Sequence, residues 1–199
     1  MIRFSVAVAV VFLAVPAQAE VFPVLADVAG VAADDVLNIR DKADPAGAII
    51  GVLAPDATGV EVLAVDGGWA LVNSGEGAGY AAVRYLRLDD GAPWYALTAP
   101  LACSGTEPFW GLDANPASVT AEFWAADPAE TQVNPIGTLW PGEAWAERAA
   151  FAMSGGTVVL SPGLCSDGMS DRAYGISVDI FLSDPAGGRY SGCCSLVQR

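Results

Sequence analysis

The chain has 199 residues, 23 acidic side chains against 9 basic ones, a formal net charge of −14 and no histidine. Such a balance repels nucleic acid and anionic lipid. The absence of histidine removes Ser-His-Asp, Cys-His and most zinc-hydrolase sites at once.

Residues 1–19 read as a secretory signal peptide. Arg3 supplies the positive start, residues 4–15 are an apolar run broken only by Ser5, and Ala17-Gln18-Ala19 is a small-residue cleavage site. That run is too short to span a bilayer. The mature chain is expected to begin at Glu20, to be periplasmic or secreted, and to make no stable membrane insertion after cleavage. Loss of Arg3 leaves 8 basic residues against 23 acidic ones, a net charge near −15.

Turn signals punctuate the chain: Asp44-Pro45, Pro55-Asp56, Asp66-Gly67-Gly68, Asp89-Asp90-Gly91, Gly155-Gly156, Pro162-Gly163 and Pro185-Ala186-Gly187-Gly188. Short β-branched or aromatic runs lie between them, which predicts an all-β protein of sandwich or barrel type. Residues 60–65 and 69–72 flank Asp-Gly-Gly as a hairpin. Residues 177–182 alternate, turn, and return from Arg189 as a second hairpin. Residues 144–152 form the one helical candidate. The polar, turn-rich stretch at Asp89 predicts a boundary, with domains at 20–90 and 98–199 joined by a linker at 91–97.

In the first half the order is Leu37-Asn38-Ile39-Arg40, Ile49-Ile50-Gly51-Val52-Leu53, Val60-Glu61-Val62-Leu63, Gly67-Gly68-Trp69-Ala70-Leu71-Val72, Gly79-Tyr80-Ala81 and Arg84-Tyr85-Leu86. Over residues 34–88 this resembles a bacterial SH3-like (SH3b) domain. The resemblance implies a small barrel that binds cell-wall peptide, glycan or a neighbouring domain, and implies no chemistry. Gly51 and Gly79 are expected at tight bends or bulges. Trp69 is expected mainly as core, with a groove role as the alternative. Tyr80 and Tyr85 are the stronger ligand candidates, since each presents a ring and a hydroxyl together. Asn38 and Arg40 are expected to hold the adjoining turn.

Residues 102–199 carry Gly105-Thr106-Glu107-Pro108-Phe109-Trp110 near their start. Cys165-Ser166-Asp167-Gly168-Met169-Ser170-Asp171-Arg172 and Gly192-Cys193 follow near their end. These motifs resemble a family of uncharacterised bacterial envelope proteins. Four cysteines in an exported chain read as two disulfides, and four allow three pairings. Adjacent Cys193 and Cys194 are poorly placed to bond each other and point to opposite faces of a strand, which leaves two pairings open. The resemblance, which keeps the positions matching Cys165 and Cys193, implies Cys165–Cys193 with Cys103–Cys194 as an added pair.

A zinc site or reactive thiol is disfavoured, because no C-x-x-C is present. No cofactor or metal is expected, and Asp167 to Asp171 lacks the ligand series of a calcium loop. Glu107 and Asp171 allow an acid/base pair for glycoside cleavage. The favoured alternative makes Asp167-Gly168 a structural turn, with Arg172 paired to Glu107 or Asp171. Phe109-Trp110 reads as core, and Trp110 is kept as a candidate lining a ligand cleft.

Three functions compete. The favoured one is a non-enzymatic, exported protein whose SH3-like module docks on peptidoglycan or an envelope partner. The second is a small-ligand or stress sensor built on the C-terminal domain. The third is a carboxylate-based envelope glycoside hydrolase.

Overall fold

The computed structural model describes residues 21–126, 129–183 and 188–197; the signal-peptide reading lies outside them. The chain is all-β, as its turn signals predict, and forms two modules.

The first is a seven-stranded antiparallel sheet of β1 (Val24–Val28), β2 (Leu37–Arg40), β3 (Ile49–Leu53), β4 (Val60–Asp66), β5 (Trp69–Ser74), β6 (Gly77–Ala82) and β7 (Leu86–Leu88). The strands lie in the order β3-β2-β6-β5-β4-β1-β7, so β3 and β7 are its edges. Period-two alternation sends Leu37, Ile39, Val62, Ala70, Val72 and Ala81 to one face, where they form the module's core. The β4–β5 hairpin turns on Gly67 and Gly68, both at positive φ, which glycine adopts without steric cost. Gly51 and Gly79 do not sit at such angles. They are sites of close approach: a Cβ on Gly79 would lie 2.7 Å from the Arg40 carbonyl oxygen, and one on Gly51 would meet the Ser74 hydroxyl. A bulge between Ile39 and Arg40 adjoins Gly51.

The second module is a closed eight-stranded barrel of β8 (Leu101–Gly105), β9 (Trp110–Asn115), β10 (Thr120–Ala126), β11 (Ala129–Trp140), β12 (Ala149–Met153), β13 (Gly156–Cys165), β14 (Tyr174–Leu182) and β15 (Arg189–Leu196). Each strand pairs antiparallel with its successor, and β15 returns to β8. The interior is apolar and filled: Trp110, Leu112, Phe123, Phe151, Leu160 and Ile180 are all buried. Along β10 the alternation is complete, with Ala121, Phe123 and Ala125 inward and Thr120, Glu122 and Trp124 outward.

Two expectations are corrected. Residues 144–152 are not helical: Glu143 and Ala146 exchange backbone hydrogen bonds in a tight turn, and Ala149–Met153 is strand β12 with alternate residues buried. Barrel pairing overrides the helix propensity of an Ala- and Glu-rich segment. The expected linker is not all linker. Trp94–Ala96 forms a 3₁₀ turn, and Trp94, Tyr95 and Leu97 are buried within the barrel core. At the other end, Val21 packs on the barrel while Phe22 packs on the sheet module.

Both disulfides form as the family resemblance implies. Cys103 and Cys194 are directly paired across β8 and β15 and bond inside the barrel, sealing its closing seam. Cys193, one residue earlier and therefore on the opposite face, bonds Cys165 at the end of β13. Two disulfides suit an oxidising compartment.

Candidate functional site

The sheet module has two faces, and its aromatic candidates divide between them. Trp69, Leu71 and Asn73 alternate with buried Ala70 and Val72 on β5, so they point away from the core. Tyr80 is directly opposite Leu71 on one side and Arg40 on the other. Trp69, two residues before Leu71, is therefore a diagonal same-face neighbour of Tyr80, a spacing that aromatic side chains bridge. Trp69, Leu71, Tyr80 and Arg40 thus form one half-buried patch on the outer face.

Arg40 is anchored there: one guanidinium nitrogen donates to the Gly47 carbonyl at 2.6 Å, holding the 41–48 loop. That places Arg40 as the sequence predicts. Trp69 differs from its core expectation, since the outer side of β5 carries it past the core. Tyr85 lies apart from the patch: its ring packs on the module's core with the Arg84 guanidinium 4.7 Å above it.

The other end of this outer face is covered by the barrel. The Asn73 amide donates to the Ala173 carbonyl at 2.9 Å, and its oxygen accepts the Ala173 N–H at 3.0 Å. Arg172 donates to the Gly75 carbonyl at 2.8 Å, and Asp171 forms a β-bridge with Gly77. Glu61 accepts the backbone N–H of Leu196 at 2.8 Å. Burial at this junction pushes the Glu61 carboxyl up to about 7, against the lowering effect of the Leu196 N–H, the Ser195 hydroxyl and Arg172. Gly175 completes the contact; any Cβ there would lie 2.8 Å from Pro23.

The Cys-Ser-Asp-Gly-Met-Ser-Asp-Arg motif is the loop that makes two of these contacts, through Asp171 and Arg172. Asp167 organises it. One carboxylate oxygen accepts the N–H groups of Ser170 at 2.9 Å and Met169 at 3.0 Å, and the other accepts the Tyr174 hydroxyl at 3.0 Å. Gly168 turns the loop at a φ of +73°. The Ser170 N–H, with the other donors, holds the Asp167 carboxyl down at about 2. Desolvation, then the neighbouring Asp167 carboxylate, raises Tyr174 above the ordinary phenol range.

Asp167-Gly168 is therefore the structural turn expected of it. Arg172 is not the expected partner of a carboxylate; the ion pairs among the described residues are Arg87–Asp27 and Arg189–Asp179. Glu107 is exposed in the β8–β9 turn, at a φ of +60°. Asp171 is exposed at the bridge to Gly77. No group of three or more His, Cys, Asp or Glu is placed to hold a metal among the described residues.

Trp110, kept as a cleft candidate, is 1% exposed and is a core residue. It packs against Phe123 at a tilt and edge-on to Tyr190 in the barrel core, where a ligand in a surface cleft does not reach it. Two motif glycines make room for it: a Cβ on Gly105 would lie 2.4 Å from the indole nitrogen, and one on Gly192 2.8 Å from its ring. Phe109 faces out and is not core.

These two modules and their junction define an all-β protein with an aromatic, Arg-bearing outer face. Comparison with protein-family models, with curated proteins and with solved structures gave no match.

Proposed function

We propose that this is a non-enzymatic, exported binding protein whose sheet module docks on the peptidoglycan of the cell wall through Tyr80, Trp69, Leu71 and Arg40. One observation carries the reading: two aromatic side chains and an arginine share an outer face, off the module's own core and beside the barrel's contact. Aromatic rings and guanidinium groups are the side chains that dominate binding surfaces. The resemblance of residues 34–88 to bacterial SH3-like domains supports the same reading. The signal-like start and the two disulfides support a periplasmic or secreted location.

The excess of negative charge makes the wall contact one of hydrogen bonds and stacking. A small-ligand sensor is less well supported, because aromatic and aliphatic side chains fill the barrel interior.

Co-sedimentation of the whole chain with purified peptidoglycan sacculi tests the proposal. The protein is expected to pellet, with Tyr80→Ala weakening binding by about tenfold. No pelleting overturns the wall reading and favours a protein partner. Undiminished pelleting of Tyr80→Ala and Trp69→Ala overturns the site.

A further inference from the structure

Of the aromatic side chains the barrel leaves exposed among the described residues, Trp145 is the most exposed. Trp145 is 83% exposed and sits in the tight turn that Glu143 and Ala146 close with reciprocal backbone hydrogen bonds at 3.0 and 2.8 Å. Its indole N–H donates to the Glu143 carboxylate. The ring's one polar edge is thereby satisfied, while its apolar face stays in water. A large apolar ring left in solvent adds little to the fold, and covering it on binding is favourable.

Beside it lies a cleft of about 330 Å³ bounded by Trp145, Ala146, Glu147, Arg148, Ser161 and Pro162. That volume suits one or two sugar rings. The lining pairs one flat apolar surface with a hydroxyl, a carboxylate and a guanidinium. This is the chemistry a pyranose needs, since one ring face carries C–H groups and its rim carries hydroxyls. A single arginine in a chain of net charge −14 is a poor match for a phosphate backbone or an anionic lipid surface.

We propose that the Trp145 turn and its cleft bind a neutral sugar ring of a glycan. Trp145 is the stacking surface, and Arg148 and Ser161 are hydrogen-bonding groups. The site is on the barrel and does not depend on the sheet module's outer face.

Calorimetric titration of the whole chain with two soluble probes, the β-1,4-linked pentamers of N-acetylglucosamine and of glucose, tests it. At least one pentamer is expected to bind with a Kd below about 1 mM. Trp145→Ala should weaken binding by at least about tenfold and Ser161→Ala by less. Phe109→Ala, which removes an exposed aromatic outside both surfaces, should leave it unchanged. Because Trp145 is exposed, its replacement should not alter the melting temperature. Binding of neither pentamer, or equal binding by wild type and Trp145→Ala, overturns the proposal. So does a Trp145-dependent association with phosphatidylglycerol vesicles in place of the sugars, which would make the turn a lipid contact.

Discussion

The carboxylate of Glu61, on β4 of the sheet module, accepts the backbone N–H of Leu196, the last residue of the barrel's closing strand, at 2.8 Å. These residues are 135 apart in sequence. Their contact ties the chain's first module to its final strand and places an ionisable group where water is scarce.

Stability at that junction depends on pH with a definite sign. Burial raises the Glu61 carboxyl from 4.5 to about 7, so the folded protein holds a proton that the unfolded chain releases. Stability therefore falls as pH rises from about 4.5 to about 7, by on the order of 3 kcal/mol in total. Glu61→Gln is expected to flatten this slope and to be the more stable form at pH 8. Urea unfolding at pH 5 and pH 8 measures it; an unchanged slope in Glu61→Gln would refute the assignment. Asp167 and Asp179, both lowered, act with the opposite sign and only at more acid pH.

Asn73 fastens the modules by two hydrogen bonds to one residue. Asn73→Ala leaves the Ala173 N–H and carbonyl without those partners and should cost about 1–3 kcal/mol. The effect should be specific to the junction: hydrogen exchange at Ala173 should accelerate while exchange in the β9–β10 pair stays slow. Equal acceleration in both places would place the damage in the fold at large.

The two disulfides should contribute unequally. By loop-closure entropy, Cys103–Cys194 at a separation of 91 residues is worth about 4.5 kcal/mol, and Cys165–Cys193 at 28 about 3.5 kcal/mol. The shorter loop lies within the longer, so the contributions should not add. Unfolding of the two serine double variants, alone and combined, checks both statements.

Gly192 is fixed by contact and not by backbone angle. A Cβ there would lie 2.1 Å from the Ser104 carbonyl oxygen as well as against Trp110. Gly192→Ala should destabilise the barrel by about 3 kcal/mol or more. Thermal unfolding close to that of the wild type would show that β8 and β15 can separate without penalty.

Much of the strand pattern is legible in the sequence, because alternation and turn chemistry act locally. Asp66-Gly67-Gly68 between two β-branched runs leaves few choices. Residues 144–152 mislead for the converse reason: alanine and glutamate favour helix locally, and the barrel's pairing decides otherwise. Trp145 is lost inside that same misreading, although Pro141-Gly142 just before it is a turn signal. The Asn73–Ala173 contact has no local signature, since nothing near Asn73 in the chain points to a residue 100 positions away. Glu61 is obscured further, because its alternation with Val60 and Val62 marks a residue expected to face solvent. The second module turns that solvent face into an interface.

The nesting of the two disulfides bears on how the chain matures. A polypeptide emerging N-terminus first presents Cys103 and then Cys165, while both native partners wait in the final strand. The first cross-link open to it is therefore the wrong one. Correct oxidation depends on delaying that bond, or on a thiol–disulfide exchange catalyst that undoes it once β15 has arrived.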